Sequence, residues 1–244
     1  MGDSLGGCVR DVLVVVPARN EEDLLPPCLD SLEAARSALA RTDPHVRVTT
    51  VVVLDRCTDA SAELVEARSW VHAVRSDAGR VGAARRLGVQ QAIALAGGPD
   101  PVATWIASTD ADSVVPPHWL SRQLELACAG TDLVLGTVLP DAKGVDPGLI
   151  DAWHARHVLT DGHPYVHGAN LGVRLSTYLQ AGGFAELPVH EDVRLVEAIR
   201  RDGGAVVSTA SAPVVTSGRF EARAPEGFAS YLRALADPDL GLPV

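Results

Sequence analysis

Asp110 and Asp112 stand one residue apart at the end of the apolar stretch Val102–Ser108. Two carboxylates just past a buried strand offer hard oxygen ligands. Mg2+ or Mn2+ prefers such ligands where it shares a site with phosphates. Open α/β sheets bind their ligands at that edge. A D-x-D pair is common, so its meaning depends on its company. Pro17-Ala18-Arg19-Asn20-Glu21-Glu22 follows the first apolar run, and Asp55 closes the second. A carboxylate at the latter position can accept an imide or amide N–H from a base edge. Gly79-Arg80 and Ala84-Arg85 place glycine and arginines at a helix N-terminus, a suitable anion site. This is not the G-x-G-x-x-G fingerprint, which would follow the first strand. Glu191-Asp192 opens a later helix. Each group also has a plainer explanation, since acidic residues favour helix N-termini through the dipole.

Alternating elements must position these residues. Asp11–Val16 is a β-branched run of the kind buried on both sheet faces. A helix follows, with Leu24, Leu25, Cys28, Leu29, Leu32, Ala35 and Leu39 on one face and Pro26 and Pro27 in its first turn. Next come a strand over 46–54 and a helix over 60–70 capped by Thr58 or Asp59. A strand over 72–75 leads to a helix over 82–96, closed by Gly97-Gly98, and then a strand over 102–108. This βαβαβαβ order predicts a mostly parallel sheet with right-handed crossovers. The second half reads as a strand over 133–139, a helix over 147–158 and an extended segment over 165–173. A helix over 191–201, an extended segment over 205–216 and a terminal helix over 225–236 complete it. There is no repeat or low-complexity linker. The expectation is one domain over 1–244, with a nucleotide-binding half near 1–113 and an acceptor half near 114–244.

Bulk properties set limits. Lys plus Arg is 21 against 31 for Asp plus Glu, a net charge of -10 over 244 residues. A nucleic-acid surface needs a basic footprint, so the balance argues against that partner class. An anionic substrate is not, because local arginines and a metal can reverse the field inside one cleft. Cys8, Cys28, Cys57 and Cys128 are widely spaced, which suggests a reduced, cytoplasmic protein. No apolar run is long enough to span a bilayer, while peripheral membrane contact stays open. Oligomeric state is not set by the sequence.

The ordered segments resemble the nucleotide-sugar half of a family 2 glycosyltransferase with the GT-A fold. That family carries P-x-x-N-E after a strand, an Asp-containing turn after the next, G-(K/R)-x-x-A-R, and then D-x-D. Here these stand as Val14–Glu22, Val51–Asp55, Gly79-Arg80 with Ala84-Arg85, and Asp110-Ala111-Asp112. The usual Asp-Asp-Gly-Ser turn is replaced by Leu54-Asp55-Arg56-Cys57. Farther along, His167-Gly168-Ala169-Asn170 looks like the family's G-A-N segment. Gly182-Gly183-Phe184 before Glu191-Asp192 looks like its G-G-F and E-D pair, and Thr216-Ser217-Gly218-Arg219 resembles a late T-S-x-R.

The resemblance implies a Rossmann-like, three-layer α/β sandwich that transfers a sugar from a nucleoside-diphosphate donor to an acceptor hydroxyl. By it, Pro17, Ala18, Arg19, Glu21 and Asp55 hold base and ribose, with Arg80, Arg85, Asp110, Ala111 and Arg219 around the rest of the nucleotide. Asp112, aided by Asp110, places Mg2+ or Mn2+ on the diphosphate. Asp192 is the general base with Glu191 beside it, and inversion follows. Gly168, Ala169, Asn170, Gly183 and His190 belong to the donor-sugar and acceptor side. His154 and His157, three apart on a helix, read as packed or solvated side chains rather than a metal pair. The rival enzyme is a sugar-1-phosphate nucleotidyltransferase, which carries a Gly-rich basic loop where this chain has Pro17–Glu22. The rival of another class is a non-catalytic nucleotide-sugar binder.

Overall fold

Val12, Val14 and Val16 alternate with Leu13 and Val15, and all five are buried. A strand with both faces covered must lie between two helical layers. The computed structural model, which describes residues 8–143 and 145–218, places it there. This strand, β1 (Asp11–Ala18), leads to α1 (Leu25–Thr42), β2 (Arg47–Asp55), α2 (Ser61–Glu66), β3 (Val71–Ser76), α3 (Val81–Leu95) and β4 (Thr104–Ser108). Then follow β5 (Ser113–Val114), α4 (Trp119–Cys128), β6 (Leu133–Pro140), α5 (Pro147–Arg156), β7 (Leu171–Arg174), α6 (Leu175–Gln180), α7 (Glu191–Arg201) and β8 (Val206–Thr216).

The strands form one sheet in the order β3-β2-β1-β4-β7-β6-β8-β5. The β1–β2, β2–β3 and β1–β4 pairs are parallel. The second half adds the antiparallel β4–β7 and β6–β7 pairs and the parallel β6–β8 pair. On one face, Val12, Val14 and Val16 pack with Leu25, Cys28 and Leu29 of α1 and with Trp119, Leu120 and Leu124 of α4. On the other, Leu13 and Val15 pack with Ala84, Val89 and Ala92 of α3 and with Leu195, Val196 and Ile199 of α7. The result is the expected three-layer α/β sandwich.

Some elements differ from the sequence reading. The second helix stops at Glu66 instead of running to position 70. Thr58 is not its cap, whereas Asp59 accepts the Ser61 N–H at 3.1 Å. A 3-10 turn, Pro101–Ala103, precedes β4, with the Asp100 carboxylate accepting the Val102 N–H. Helices α4 and α6 are additions to that reading. The helix expected over 225–236 lies outside the described residues.

The cysteine reading is corrected. Cys8 and Cys128 form a disulfide across 120 positions, tying the segment before β1 to the end of α4. Cys28 and Cys57 are free thiols. Wide spacing in sequence concealed a proximity that only the packing of α4 beside the β1 layer creates. Among the described residues, no helix is long and apolar enough to cross a membrane.

Candidate active site

The parallel strands β1, β2, β3 and β4 end on one edge of the sheet. Register sets Ala18 beside Leu54, Asp55 beside Ser76, and Val15 beside Ser108. Four of the sequence-selected groups therefore meet because of topology alone.

Asp55 is buried at the tip of β2. Its Oδ1 accepts the Ser76 hydroxyl at 2.9 Å and the Gly79 N–H at 3.0 Å. The carboxylate thus fixes the loop after β3 as well as facing the edge. The next residue, Arg56, is exposed and has left-handed backbone, with φ at 56°. Its Nε donates to the Asp77 carbonyl at 2.9 Å. Gly79 has φ at 66°, a backbone region that favours glycine, and the Arg56 guanidinium carbon lies 2.5 Å from where a Cβ would stand. The turn after β1 is laced to the turn after β2. The Thr58 N–H donates to Asn20 Oδ1 at 2.7 Å, the Ala60 N–H to Glu22 Oε2 at 2.9 Å, and the Glu21 N–H to Ser61 Oγ at 2.9 Å. Pro17, Ala18, Arg19 and Glu21 line this edge, with Arg19 exposed and Ala18 and Glu21 buried. Arg80 is exposed at the N-cap of α3.

The D-x-D turn runs between β4 and β5. Ala111 is buried, while Asp110 and Asp112 are partly open. Short β5 pairs antiparallel with the end of β8, setting Ser113 against Thr216. Asp112 Oδ1 accepts the Ser113 and Thr216 hydroxyls, both at 3.3 Å, and its carbonyl accepts the Ser217 N–H at 3.1 Å. The late T-S segment therefore reaches the metal-ligand candidate. Arg219, selected with it, lies outside the described residues.

Arg85 sits beneath the nucleotide edge rather than on it. It is buried, donating through Nε to Glu191 at 2.8 Å, through Nη1 to Ser108 at 2.7 Å, and through Nη2 to Asp110 at 2.5 Å. Burial alone would favour the neutral guanidine. The Asp110 and Glu191 charges outweigh it and raise the Arg85 pKa. Arg85 thus joins the D-x-D turn to the E-D pair, and its guanidinium spends these hydrogen bonds inside the protein. Gly168 allows this, because a Cβ there would lie 2.5 Å from the Arg85 Nη2.

Glu191 and Asp192 differ in environment. Glu191 is buried on Arg85. Asp192 takes the Gly168 N–H on Oδ2 at 2.6 Å and the Val193 N–H on Oδ1 at 2.8 Å. Burial and then the Glu191 charge push its carboxyl up to about 6, against the opposing pull of Arg85. A carboxyl poised near neutral pH suits proton transfer. Glu191, by contrast, commits its carboxylate to the Arg85 ion pair.

On the acceptor side, Gly168 contributes its N–H and Ala169 is buried. Asn170 is a structural post. Its Nδ2 donates to the Thr137 and Ala212 carbonyls at 2.8 and 2.9 Å, and its Oδ1 accepts the Trp119 indole N–H at 2.9 Å. Gly183 has φ at 74° and lies under the Tyr178 ring. His190 is exposed, left-handed, and directly precedes Glu191. The helical pair His154 and His157 both contact the Trp153 ring, and His157 stacks on it at 4.2 Å. His157 is half-buried in this stack, and His154 is exposed with an edge contact to the same ring. Burial, reinforced by His157 and His163, holds His167 down at about 4.

Among the described residues, no group of three or more His, Cys, Asp or Glu side chains is arranged to hold a metal ion. The donors at the D-x-D turn are hard carboxylate oxygens, which fit a divalent cation whose shell is completed by diphosphate.

The chain matches the family described as Glycosyl transferase family 2 over residues 13–154. No curated protein matches it. Several solved structures are similar in fold. S. aureus TarS 1-349 in complex with UDP-GlcNAc has a TM-score of 0.63 at 15% identity, over 97% of this chain and 68% of that one. The longer S. aureus TarS also gives 0.63 at 16% identity, and this chain spans 40% of it. GalNAc-T7 with UDP, GalNAc and Mn2+ gives 0.64 at 14% identity, over 90% of this chain and 46% of that one. At these identities the likeness is one of fold.

Proposed function

The chain belongs to glycosyl transferase family 2 and has the GT-A fold, and from that membership we propose that it is a divalent-metal-dependent, inverting transferase. It moves a sugar from a nucleoside diphosphate to an acceptor hydroxyl. The observation that carries this reading is the convergence of Asp55, the D-x-D turn and Asp192 on one sheet edge, with Arg85 bonded to both Asp110 and Glu191. The fold neighbours bound to UDP-GlcNAc, and to UDP, GalNAc and Mn2+, support a nucleotide-sugar donor and a metal. In this reading residues up to about 113 hold the donor, and the remainder shapes the acceptor side.

Asp192 accepts the proton of the acceptor hydroxyl. That oxygen forms a bond to the anomeric carbon as the bond from that carbon to the diphosphate oxygen breaks on the opposite face, which inverts the centre. Asp112, with Asp110, would hold a divalent cation, which would supply Lewis-acid stabilisation of the leaving diphosphate. Ser113 and Thr216 orient Asp112 for that task through its Oδ1. Gly168 and the first turn of α7 orient Asp192.

Calorimetric titration with nucleoside diphosphates, with and without Mn2+, tests the donor half of this reading. Asp112→Ala should leave the fold intact and remove the metal-dependent part of the affinity. Wild type and variant binding equally, both before and after EDTA, would overturn the metal assignment.

A further inference from the structure

We propose that Arg56 is a base-specificity determinant, forming with Asp55 a two-pronged reader for a base that presents a ring N–H next to an exocyclic oxygen. Uracil, thymine and guanine share that edge. The inference rests on the nucleotide-sugar reading above and deepens it.

The first observation is conformational. Arg56 occupies left-handed backbone, with φ at 56°, where side chains are disfavoured. Glycine would satisfy this turn without strain. A long charged side chain kept in such a place at the end of a parallel strand points to a use for it.

The second observation is placement. Arg56 N–H donates to the Ser76 carbonyl at 2.9 Å, and its Nε donates to the Asp77 carbonyl at 2.9 Å. The guanidinium lies against Gly79, whose N–H is held by Asp55 Oδ1. The carboxylate and the guanidinium therefore converge on one glycine. Nε is committed, while the side chain is exposed and its Nη groups make no hydrogen bond among the described residues.

The third observation is distance along the edge. β1 separates β2 from β4. Two strand spacings are about 10 Å, enough for a ribose between the base at β2 and the diphosphate at the D-x-D turn. Arg56 is thus at the base end of the cleft. There its Nη donors suit an exocyclic oxygen, while Asp55 accepts the adjacent ring N–H. Cytosine and adenine carry an unprotonated ring nitrogen at that point, so an acceptor would face the Asp55 carboxylate.

The test is calorimetry of UDP, GDP, CDP and ADP, with Mn2+, on wild type, Arg56→Gly and Arg56→Lys. Wild type should bind UDP or GDP at least tenfold tighter than CDP and ADP. Arg56→Gly removes the backbone strain and should stay folded by circular dichroism. It should weaken the preferred diphosphate about 10- to 100-fold, as expected for a lost charge-assisted hydrogen bond, and leave CDP and ADP nearly unchanged. Arg56→Lys keeps the charge without the fork and should lose most of the discrimination. An equal loss for all four diphosphates in Arg56→Gly would show a general electrostatic contact and overturn the inference. Unchanged ratios in that variant would also overturn it, leaving the nucleotide-sugar reading standing. A wild type that binds none of the four sinks both.

Discussion

Asp192→Asn should lower kcat by about 10²–10⁴, the usual contribution of a positioned general base, while leaving the Kd for the nucleoside diphosphate unchanged. The expectation follows from the contrast within the E-D pair. Glu191 is spent on Arg85, but Asp192 is held by two backbone N–H groups and has its carboxyl pushed up to about 6. The active form is the carboxylate. In wild type, kcat/KM should therefore rise as pH increases through about 6 and fall away below it, and the variant should lack this limb. His167 cannot replace it as the source of the limb, because its pKa is held down at about 4. Release of nucleoside diphosphate from a sugar donor, followed across pH, supplies the measurement. Near-wild-type turnover in Asp192→Asn, or a limb that survives it, would reject Asp192 as the base.

The first half of the fold was legible because periodicity and parallel topology agree there. The β-branched run at Asp11–Val16 and the amphipathic face from Leu25 to Leu39 left few other arrangements. Once β1 to β4 are parallel, their ends share an edge, so Asp55 and Asp110 meet without any knowledge of side chains. In the second half, α4 buries Trp119, Leu120, Leu124 and Ala127 on one face after Pro116-Pro117, a short apolar stripe that the neighbouring prolines mask in the sequence. Helix α6 has only 6 residues, too few for periodicity to declare itself. The Cys8–Cys128 bridge was hidden for a related reason, since no local pattern encodes the return of α4 to the start of β1.

The motifs picked out residues that gather at one sheet edge but did not distinguish open side chains from those that hold others in place. Asn170 and Arg85 looked like ligand contacts, yet both spend their hydrogen bonds inside the protein. Ser108 carried no motif signal of its own, because a single hydroxyl at a strand end has none, and the T-S-x-R pattern marked Thr216 without showing that its hydroxyl reaches Asp112. A buried arginine can be recognised only when its partners, 25 and 106 positions away, are seen together.

Arg85→Gln should destabilise the protein by about 3–5 kcal/mol, the loss typical when one member of a buried ion pair is removed. For a chain of this size that corresponds to a fall in Tm of about 6–20 °C. The cause is specific. Glu191 is almost fully buried, with a side chain 5% exposed, and would lose its charged partner, as would the half-open Asp110. Destabilisation alone would fit any buried arginine, and the activity profile separates the positioning role from a merely structural one. The Arg85 charge holds the Asp192 pKa down against burial. Its loss should move the lower limb of kcat/KM above pH 6, so the base stays protonated to higher pH. Arg85→Lys retains the charge without the fork that reaches Glu191, Ser108 and Asp110 together. It should return part of the limb shift but less of the stability. Thermal melts across pH and kcat/KM profiles of both variants test this. A limb that stays at about 6 in Arg85→Gln would mean that the guanidinium supports the fold without tuning the base.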